Sequence, residues 1–120
     1  MVLLCVDDDP EDVELFIDAI KTIDEDHRCV VAVNGNEALK KLSLLVPDYI
    51  FLDMNMPVMD GKETLRRIRK DERLNTVPVY ILSTSSDVAE AETCRRLGAT
   101  KWLVKPNSFD ELVTRLKAVI

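Results

Sequence analysis

Five short, almost continuous apolar runs constrain the fold of this chain more than any other feature. They occupy Val2–Val6, Cys29–Val33, Tyr49–Leu52, Val79–Leu82 and Trp102–Val104. Several of these runs are rich in Val and Ile, and none alternates between apolar and polar residues. This pattern is typical of strands in a parallel sheet whose two faces are both covered.

Segments with helical periodicity separate the runs. Apolar residues recur there at spacings of three, four and seven positions, which places one apolar stripe along each predicted helix. The fourth segment, from Val88 to Leu97, has the thinnest stripe. The stripes contain Val13, Phe16, Ile17 and Ile20; Ala38, Leu39 and Leu42; Leu65 and Ile68; Ala91, Cys94 and Leu97; and Leu112, Leu116 and Val119.

Residues typical of helix ends bound these segments. Asp9 followed by Pro10 predicts an N-cap and a first helical residue. Gly98 follows Leu97, where a helix C-terminus favours a residue that tolerates positive φ. Capping-box spacing occurs in three further pairs, Asn34 with Glu37, Asp60 with Glu63, and Ser108 with Glu111.

The order strand–helix therefore repeats five times along 120 residues. Short right-handed connections turn this order into a doubly wound α/β fold. We predict a five-stranded parallel sheet of the flavodoxin-like type, with strand order 2-1-3-4-5 and five helices on its two faces. The length favours a single domain over residues 1–120.

Charge and cysteine content exclude several classes of function. Sixteen basic and 22 acidic side chains give a net charge of −6, which disfavours nucleic-acid binding. The apolar runs are too short to span a membrane. Cys5, Cys29 and Cys94 lie in apolar patterns, which predicts reduced, buried thiols rather than disulfides or a zinc site. No secretory leader is visible, so we expect a cytoplasmic location.

Polar residues follow the predicted strands at the edge where such folds bind ligands. They are Asp7, Asp8, Asn34, Asp53, Ser83 and Lys105. Three neighbouring carboxylates need a counter-charge, and a hard divalent cation such as Mg²⁺ fits oxygen ligands. The same set suits phosphoryl transfer, in which one carboxylate attacks in line and forms an aspartyl phosphate.

Other charged residues receive structural interpretations. Asp9, Glu11 and Asp12 read as acids at a helix start, without a catalytic role. His27, the single histidine, reads as a solvent-exposed loop residue. The basic cluster of Arg66, Arg67, Arg69 and Lys70 reads as the solvated face of a helix.

Taken together, the motifs resemble the receiver domain of bacterial two-component response regulators, in particular single-domain chemotaxis-type regulators. The resemblance covers essentially the whole chain. The motifs that carry it are Asp7-Asp8-Asp9, Asp53-Met54-Asn55-Met56-Pro57, Asp60-Gly61, Ser83-Thr84 and Lys105-Pro106.

The resemblance implies a role for each site residue. Asp53 is the expected phosphoacceptor. Asp8 is an expected direct ligand of Mg²⁺ or Mn²⁺, with Asp7 bound through water and Asn55 contributing its backbone carbonyl. Three further residues have implied roles, namely Ser83 as the switch hydroxyl, Lys105 as the partner of the phosphoryl group and Trp102 as the aromatic switch. The resemblance also implies a cis Lys105–Pro106 bond.

A receiver of this kind is a switch rather than a turnover enzyme. Its implied phosphodonor is a sensor histidine kinase or a histidine phosphotransfer protein. Phosphorylation would change the face formed by residues 88–120, which would then regulate an output partner or form a homodimer.

Three other functions remain open from the residues. A Mg²⁺-dependent phosphohydrolase would use the same aspartyl phosphate, although Asn55 stands where a second acid is usual. A flavodoxin-like cofactor binder would need a phosphate-binding loop after the first strand, where this chain has acids. A receiver used only for docking would not need the complete set of site residues.

Overall fold

The computed structural model describes residues 1–56 and 59–120; Pro57, part of the predicted motif, lies outside the described residues. Five strands and five helices alternate along the chain, and a short 3₁₀ helix, Glu72–Leu74, precedes the fourth strand. The strands are β1 (Val2–Val6), β2 (Arg28–Ala32), β3 (Tyr49–Asp53), β4 (Val79–Ser83) and β5 (Lys101–Val104). The helices are α1 (Pro10–Ile23), α2 (Gly35–Leu42), α3 (Gly61–Lys70), α4 (Val88–Arg96) and α5 (Phe109–Lys117).

The strands form one parallel sheet in the order β2-β1-β3-β4-β5, as predicted. Alternate residues of β1 point to opposite faces of this sheet. Leu3 and Cys5 pack with residues of α1 and α5, whereas Leu4 and Val6 pack with residues of α2, α3 and α4. Two apolar cores therefore cover both faces of the sheet, which explains the continuous apolar runs in the sequence.

Two strands extend beyond the carboxyl ends of their apolar runs. Asp53 pairs with Leu82 and Ser83 pairs with Val104 in the sheet. Backbone hydrogen bonding continues through a residue whatever the polarity of its side chain, so these polar residues end strands instead of following them. Both are thereby fixed on rigid elements. The second strand also begins and ends one residue earlier than its predicted run, at Arg28 and Ala32.

Most of the predicted helix ends are confirmed. The side chains of Asp9, Asn34, Asp60 and Ser108 accept hydrogen bonds from backbone N–H groups of the first helical turn. Gly98 has φ of 108°, a left-handed conformation that glycine adopts without strain. Two of the predicted capping-box glutamates form ion pairs with basic residues of their own helices. Glu37 pairs with Lys41, and Glu63 pairs with Arg67.

Arg69 corrects the prediction of a fully solvated basic face on α3. Its guanidinium donates hydrogen bonds to the carbonyls of Gly98, Leu74 and Val77 at 2.9, 2.8 and 2.9 Å. The long side chain reaches across to loops that the sequence places up to 29 residues away. Arg66 and Arg67 are exposed, as predicted.

His27 and the cysteines differ in part from their predictions. His27 is half-buried, and its Nδ1 is buried without a hydrogen-bond partner among the described residues, so it is not a freely solvated loop residue. All three cysteines are free, as predicted. Cys5 and Cys94 are buried, but Cys29 on the edge strand β2 is only partly so.

Helix α4 is loosely packed over the described residues. Cys94 is its one buried residue, with its Sγ 3.9 Å from Met54 Sδ, and Val88 at the start of the helix is 81% exposed. An ion pair of 3.7 Å between Lys62 and Glu90 joins α3 to α4. Helices with few buried contacts are the elements that move most readily. Over the described part of the chain, every helix is too short or too polar to cross a membrane.

Candidate functional site

Three aspartates meet at the carboxyl edge of the sheet. One carboxylate oxygen from each of Asp7, Asp8 and Asp53 lies within 4.8 Å of those of the other two. Asp7 is 4% exposed and Asp53 is 6% exposed, whereas Asp8 faces solvent. Burial raises the pKa of Asp7 and of Asp53, and the nearby charge of Lys105 opposes this shift in both. Three carboxyl groups are thus concentrated at one end of the parallel sheet, as the sequence predicted.

Local backbone contacts fix two of these acids. The Asp7 N–H donates to the Ala32 carbonyl at 3.0 Å, which continues the pairing of β1 beyond its end. Its carboxylate accepts from the Asp9 N–H at 2.9 Å. Gly61, the first residue of α3, lies close to the end of β3. A Cβ added to Gly61 would lie 2.8 Å from the Asp53 carbonyl oxygen. Only glycine allows helix α3 to begin so near the end of β3.

Lys105 is the cation of the site. Its Nζ lies 2.9 Å from Asp12, 3.3 Å from Asp7 and 3.4 Å from Asp53. The Lys105 side chain is 17% exposed. Burial works against its charged form, but the hydrogen bond to Asp12 and the charges of Asp7 and Asp53 outweigh burial and raise the pKa of Lys105. The lysine is therefore held as an ammonium between the carboxylates of Asp7, Asp12 and Asp53.

Asp12 is the site residue that the sequence analysis missed. Asp9 does act as an N-cap, with its carboxylate accepting from the Glu11 N–H at 2.9 Å. The Asp12 carboxylate instead accepts from Lys105, 93 residues further along the chain. Its position in the first turn of the helix after β1 was the only available signal, and that signal is equally typical of a helix-start acid.

Ser83 and Trp102 are linked through the loop that follows β4. Ser83 is 1% exposed, and its Oγ accepts a hydrogen bond from the Ser85 N–H at 3.1 Å. The Ser85 carbonyl in turn accepts from the Trp102 indole N–H at 3.0 Å. The predicted switch hydroxyl and the predicted aromatic switch thus contact the same loop residue.

The Lys105–Pro106 peptide bond is trans, which corrects the cis bond implied by the resemblance. Trans is the lower-energy isomer of an X–Pro bond by about 0.5–1 kcal/mol. Lys105 reaches its three carboxylates from this trans geometry. Asn55, the predicted carbonyl ligand, is exposed two residues after Asp53.

Comparison with known proteins places this arrangement in a family. Residues 3–117 match the family model of the response regulator receiver domain. The transcriptional regulatory protein PrrA of Mycobacterium leprae is 42% identical over 89 residues, which cover 74% of this chain and 37% of that protein. The chain spans about a third of the length of the first curated relatives that it matches.

Solved structures agree with this assignment. The chemotaxis response regulator CheY4 of Vibrio cholerae superposes with a TM-score of 0.88 at 30% identity, over 99% of this chain and 98% of that one. The phosphorylated cyanobacterial phytochrome response regulator RcpA gives 0.90 at 28% identity, over 98% of this chain and 89% of that one.

The fold, the acidic edge and the matches together define a signalling receiver. The chain belongs to the response regulator receiver domain family, the phosphorylation-controlled switches of two-component systems. The predicted resemblance and the flavodoxin-like fold are both confirmed.

Proposed function

We propose that this receiver accepts a phosphoryl group on Asp53 from a phosphohistidine of a sensor histidine kinase or a histidine phosphotransfer protein. The observation that carries the proposal is the position of the buried Asp53 carboxylate. It ends β3, lies 3.4 Å from the Lys105 ammonium, and shares its surroundings with Asp7 and Asp8. A nucleophile, a cation and two further acids are thereby brought together.

The acidic cluster fits a hard divalent cation. Its donors are carboxylate oxygens, which Mg²⁺ and Mn²⁺ accept, and it includes no thiolate or imidazole. Asp7, Asp8 and Asp53 would hold the cation, and Asn55 would add its backbone carbonyl. When bound, Mg²⁺ neutralises negative charge on the oxygens of a transferring phosphoryl group.

The chain's own residues then have separate tasks. An Asp53 carboxylate oxygen attacks phosphorus and forms an O–P bond, while the P–N bond to the donor imidazole breaks and its electron pair stays on nitrogen. Lys105, whose Nζ lies 3.4 Å from the Asp53 carboxylate, pairs with the charge of the incoming phosphoryl group. Ser83, at the end of the neighbouring strand, would turn its hydroxyl toward the new phosphoryl group.

The loop that follows β4 would transmit the rotation of the Ser83 hydroxyl to the surface formed by residues 88–120. If the Ser83 hydroxyl turns, it leaves the Ser85 N–H, and Ser85 is also bonded to Trp102. The loosely packed α4 follows directly after this loop, so a local charge can shift its position. We propose that this face regulates an output partner or a second copy, that the protein acts in the cytoplasm, and that it switches rather than turns over a substrate.

Intact mass spectrometry with acetyl phosphate tests the proposal. Wild type, D53N and a control, D18N, are incubated with and without Mg²⁺. Asp18 is an exposed acid of α1, so D18N removes a carboxylate that lies outside the cluster. We expect one phosphoryl adduct in wild type and D18N only with Mg²⁺, and none in D53N.

Other results would overturn the proposal. An adduct on D53N would place the phosphoacceptor elsewhere. The absence of any adduct in wild type would favour a receiver used only for docking. Steady release of phosphate from an organic phosphate ester would favour a phosphohydrolase.

A further inference from the structure

Asp12 forms the closest contact of the Lys105 ammonium, although it lies outside the acidic cluster. Its Oδ2 lies 2.9 Å from Lys105 Nζ, compared with 3.4 Å for Asp53. Asp12 is on α1, whereas Asp7 and Asp53 lie at the ends of strands. We infer that Asp12 is a positioning residue that holds Lys105 back from Asp53 and so disfavours the phosphorylated state. This inference rests on the proposed function.

The number of donors on Lys105 supports the inference. An ammonium has three N–H donors, and three carboxylates lie within 3.4 Å of it. A phosphoryl group on Asp53 would add further oxygens that compete for the same donors. Lys105 cannot donate to these oxygens and keep all three of its present carboxylate contacts.

The negative charge of Asp12 also disfavours the phosphorylated state. The proposed cation would be held by Asp7, Asp8 and Asp53, so Asp12 keeps its negative charge when that cation binds. A phosphoryl dianion on Asp53 would then share the Lys105 ammonium with a second anion, Asp12. Competition for the ammonium and repulsion between like charges both disfavour the phosphorylated state. Because the Asp12 side chain is 38% exposed, we expect the effect to be moderate and to weaken with salt.

Cation affinity should respond in the opposite direction. Without Asp12, Lys105 keeps only Asp7 and Asp53 as partners, and both are proposed cation ligands. The ammonium would then compete more strongly with Mg²⁺ for those oxygens. A general loss of structure would weaken the binding of both the cation and the phosphoryl group. Opposite changes in the two affinities therefore distinguish positioning from a merely structural role.

The test compares D12N with a matched control, E11Q. Glu11 lies in the same turn, is exposed, and is not among the ion-pair partners of Lys105 over the described residues. Mg²⁺ binding is measured by calorimetry. Binding of beryllofluoride, a phosphoryl analogue, is then measured at saturating Mg²⁺ from Trp102 fluorescence, with calorimetry as a second readout. D12E serves as the conservative variant, and far-UV circular dichroism checks the fold of each.

We expect D12N to bind beryllofluoride about two- to fivefold more tightly than wild type and Mg²⁺ more weakly, with E11Q close to wild type. D12E should restore wild-type behaviour. In a K105A background, D12N should change beryllofluoride binding no more than E11Q does, because Asp12 acts through Lys105.

Three results would overturn the inference. One is D12N behaving like E11Q, and another is D12N binding beryllofluoride more weakly than wild type. The third is an undiminished D12N effect in the K105A background. If wild type itself binds neither Mg²⁺ nor beryllofluoride, the proposed function fails and this inference with it. If wild type binds both Mg²⁺ and beryllofluoride and D12N has the same affinities, only the role of Asp12 is refuted.

Discussion

The indole N–H of Trp102 donates a hydrogen bond of 3.0 Å to the backbone carbonyl of Ser85. The N–H of the same Ser85 donates to Ser83 Oγ at 3.1 Å. One loop residue is therefore held from both sides, by the end of β4 and by the middle of β5. Any rotation of the Ser83 hydroxyl away from Ser85 releases one of these two bonds. Ser85 is thus the physical connection between the acidic site and the only tryptophan of the chain.

This connection predicts the behaviour of S83A. The variant should still form the Asp53 adduct with acetyl phosphate, since Asp53 and Lys105 are unchanged. Its Trp102 fluorescence should respond much less than that of wild type, because the hydroxyl that couples the site to Ser85 is missing. S83T, which keeps a hydroxyl, should retain the response. A full fluorescence change in S83A, together with a normal adduct by mass, would contradict the coupling.

W102F should lower stability modestly. The variant removes the indole donor and leaves the Ser85 carbonyl without its partner, so we expect a loss of about 1 kcal/mol in the free energy of unfolding. Urea denaturation followed by circular dichroism measures this loss. The control is Y80F, which removes the 3.2 Å hydrogen bond from the Tyr80 hydroxyl to the Val119 carbonyl, away from the site. Beryllofluoride binding, measured by calorimetry, should change in W102F and not in Y80F.

R69A should be strongly destabilising. Its guanidinium serves three backbone carbonyls, and truncation leaves all three without this donor in a half-buried position. We expect a loss of about 2–4 kcal/mol in the free energy of unfolding, whereas R66A on the exposed face should change it by less than about 0.5 kcal/mol. Urea denaturation of both variants checks this difference. Equal stabilities would mean that the Arg69 hydrogen bonds contribute nothing.

D53N should stabilise the metal-free protein at neutral pH. Burial raises the pKa of Asp53, with Lys105 opposing and Asp7 adding to the shift, so the folded protein binds the proton more tightly than the unfolded chain does. The contribution of this carboxyl to stability is then fully present below its ordinary pKa of 3.8 and is lost as pH rises through the raised folded value. In EDTA, D53N should melt a few degrees above wild type at pH 7.

The advantage of D53N should shrink as pH falls from 7 through the raised pKa of Asp53, because the wild-type carboxyl becomes protonated. Melting curves across this pH range, with D18N as the control, measure the difference. A D53N advantage that grows on acidification would reverse the expected sign. Mg²⁺ should also raise the melting temperature of wild type more than that of D53N, because it binds the folded state.

Much of the fold followed from local patterns. Continuous apolar runs require both faces of the sheet to be covered, and the residues that cap helices satisfy backbone groups within a few positions of themselves. Strand ends were less certain, because Asp53 and Ser83 pair through their backbones in spite of their polar side chains. The convergence of Asp7, Asp8 and Asp53 was predictable, since parallel strands bring their carboxyl ends to one edge.

The sequence by itself therefore determined the order of the elements, the strand order and the convergence of Asp7, Asp8 and Asp53. Only the tertiary structure decided that Lys105 pairs with Asp12 and that Arg69 binds loops far away along the chain. The physical reason is the reach of long side chains. Apolar periodicity fixes which face of a helix is buried. The position of a flexible charged group depends on how neighbouring helices pack, and no local sequence pattern specifies that packing.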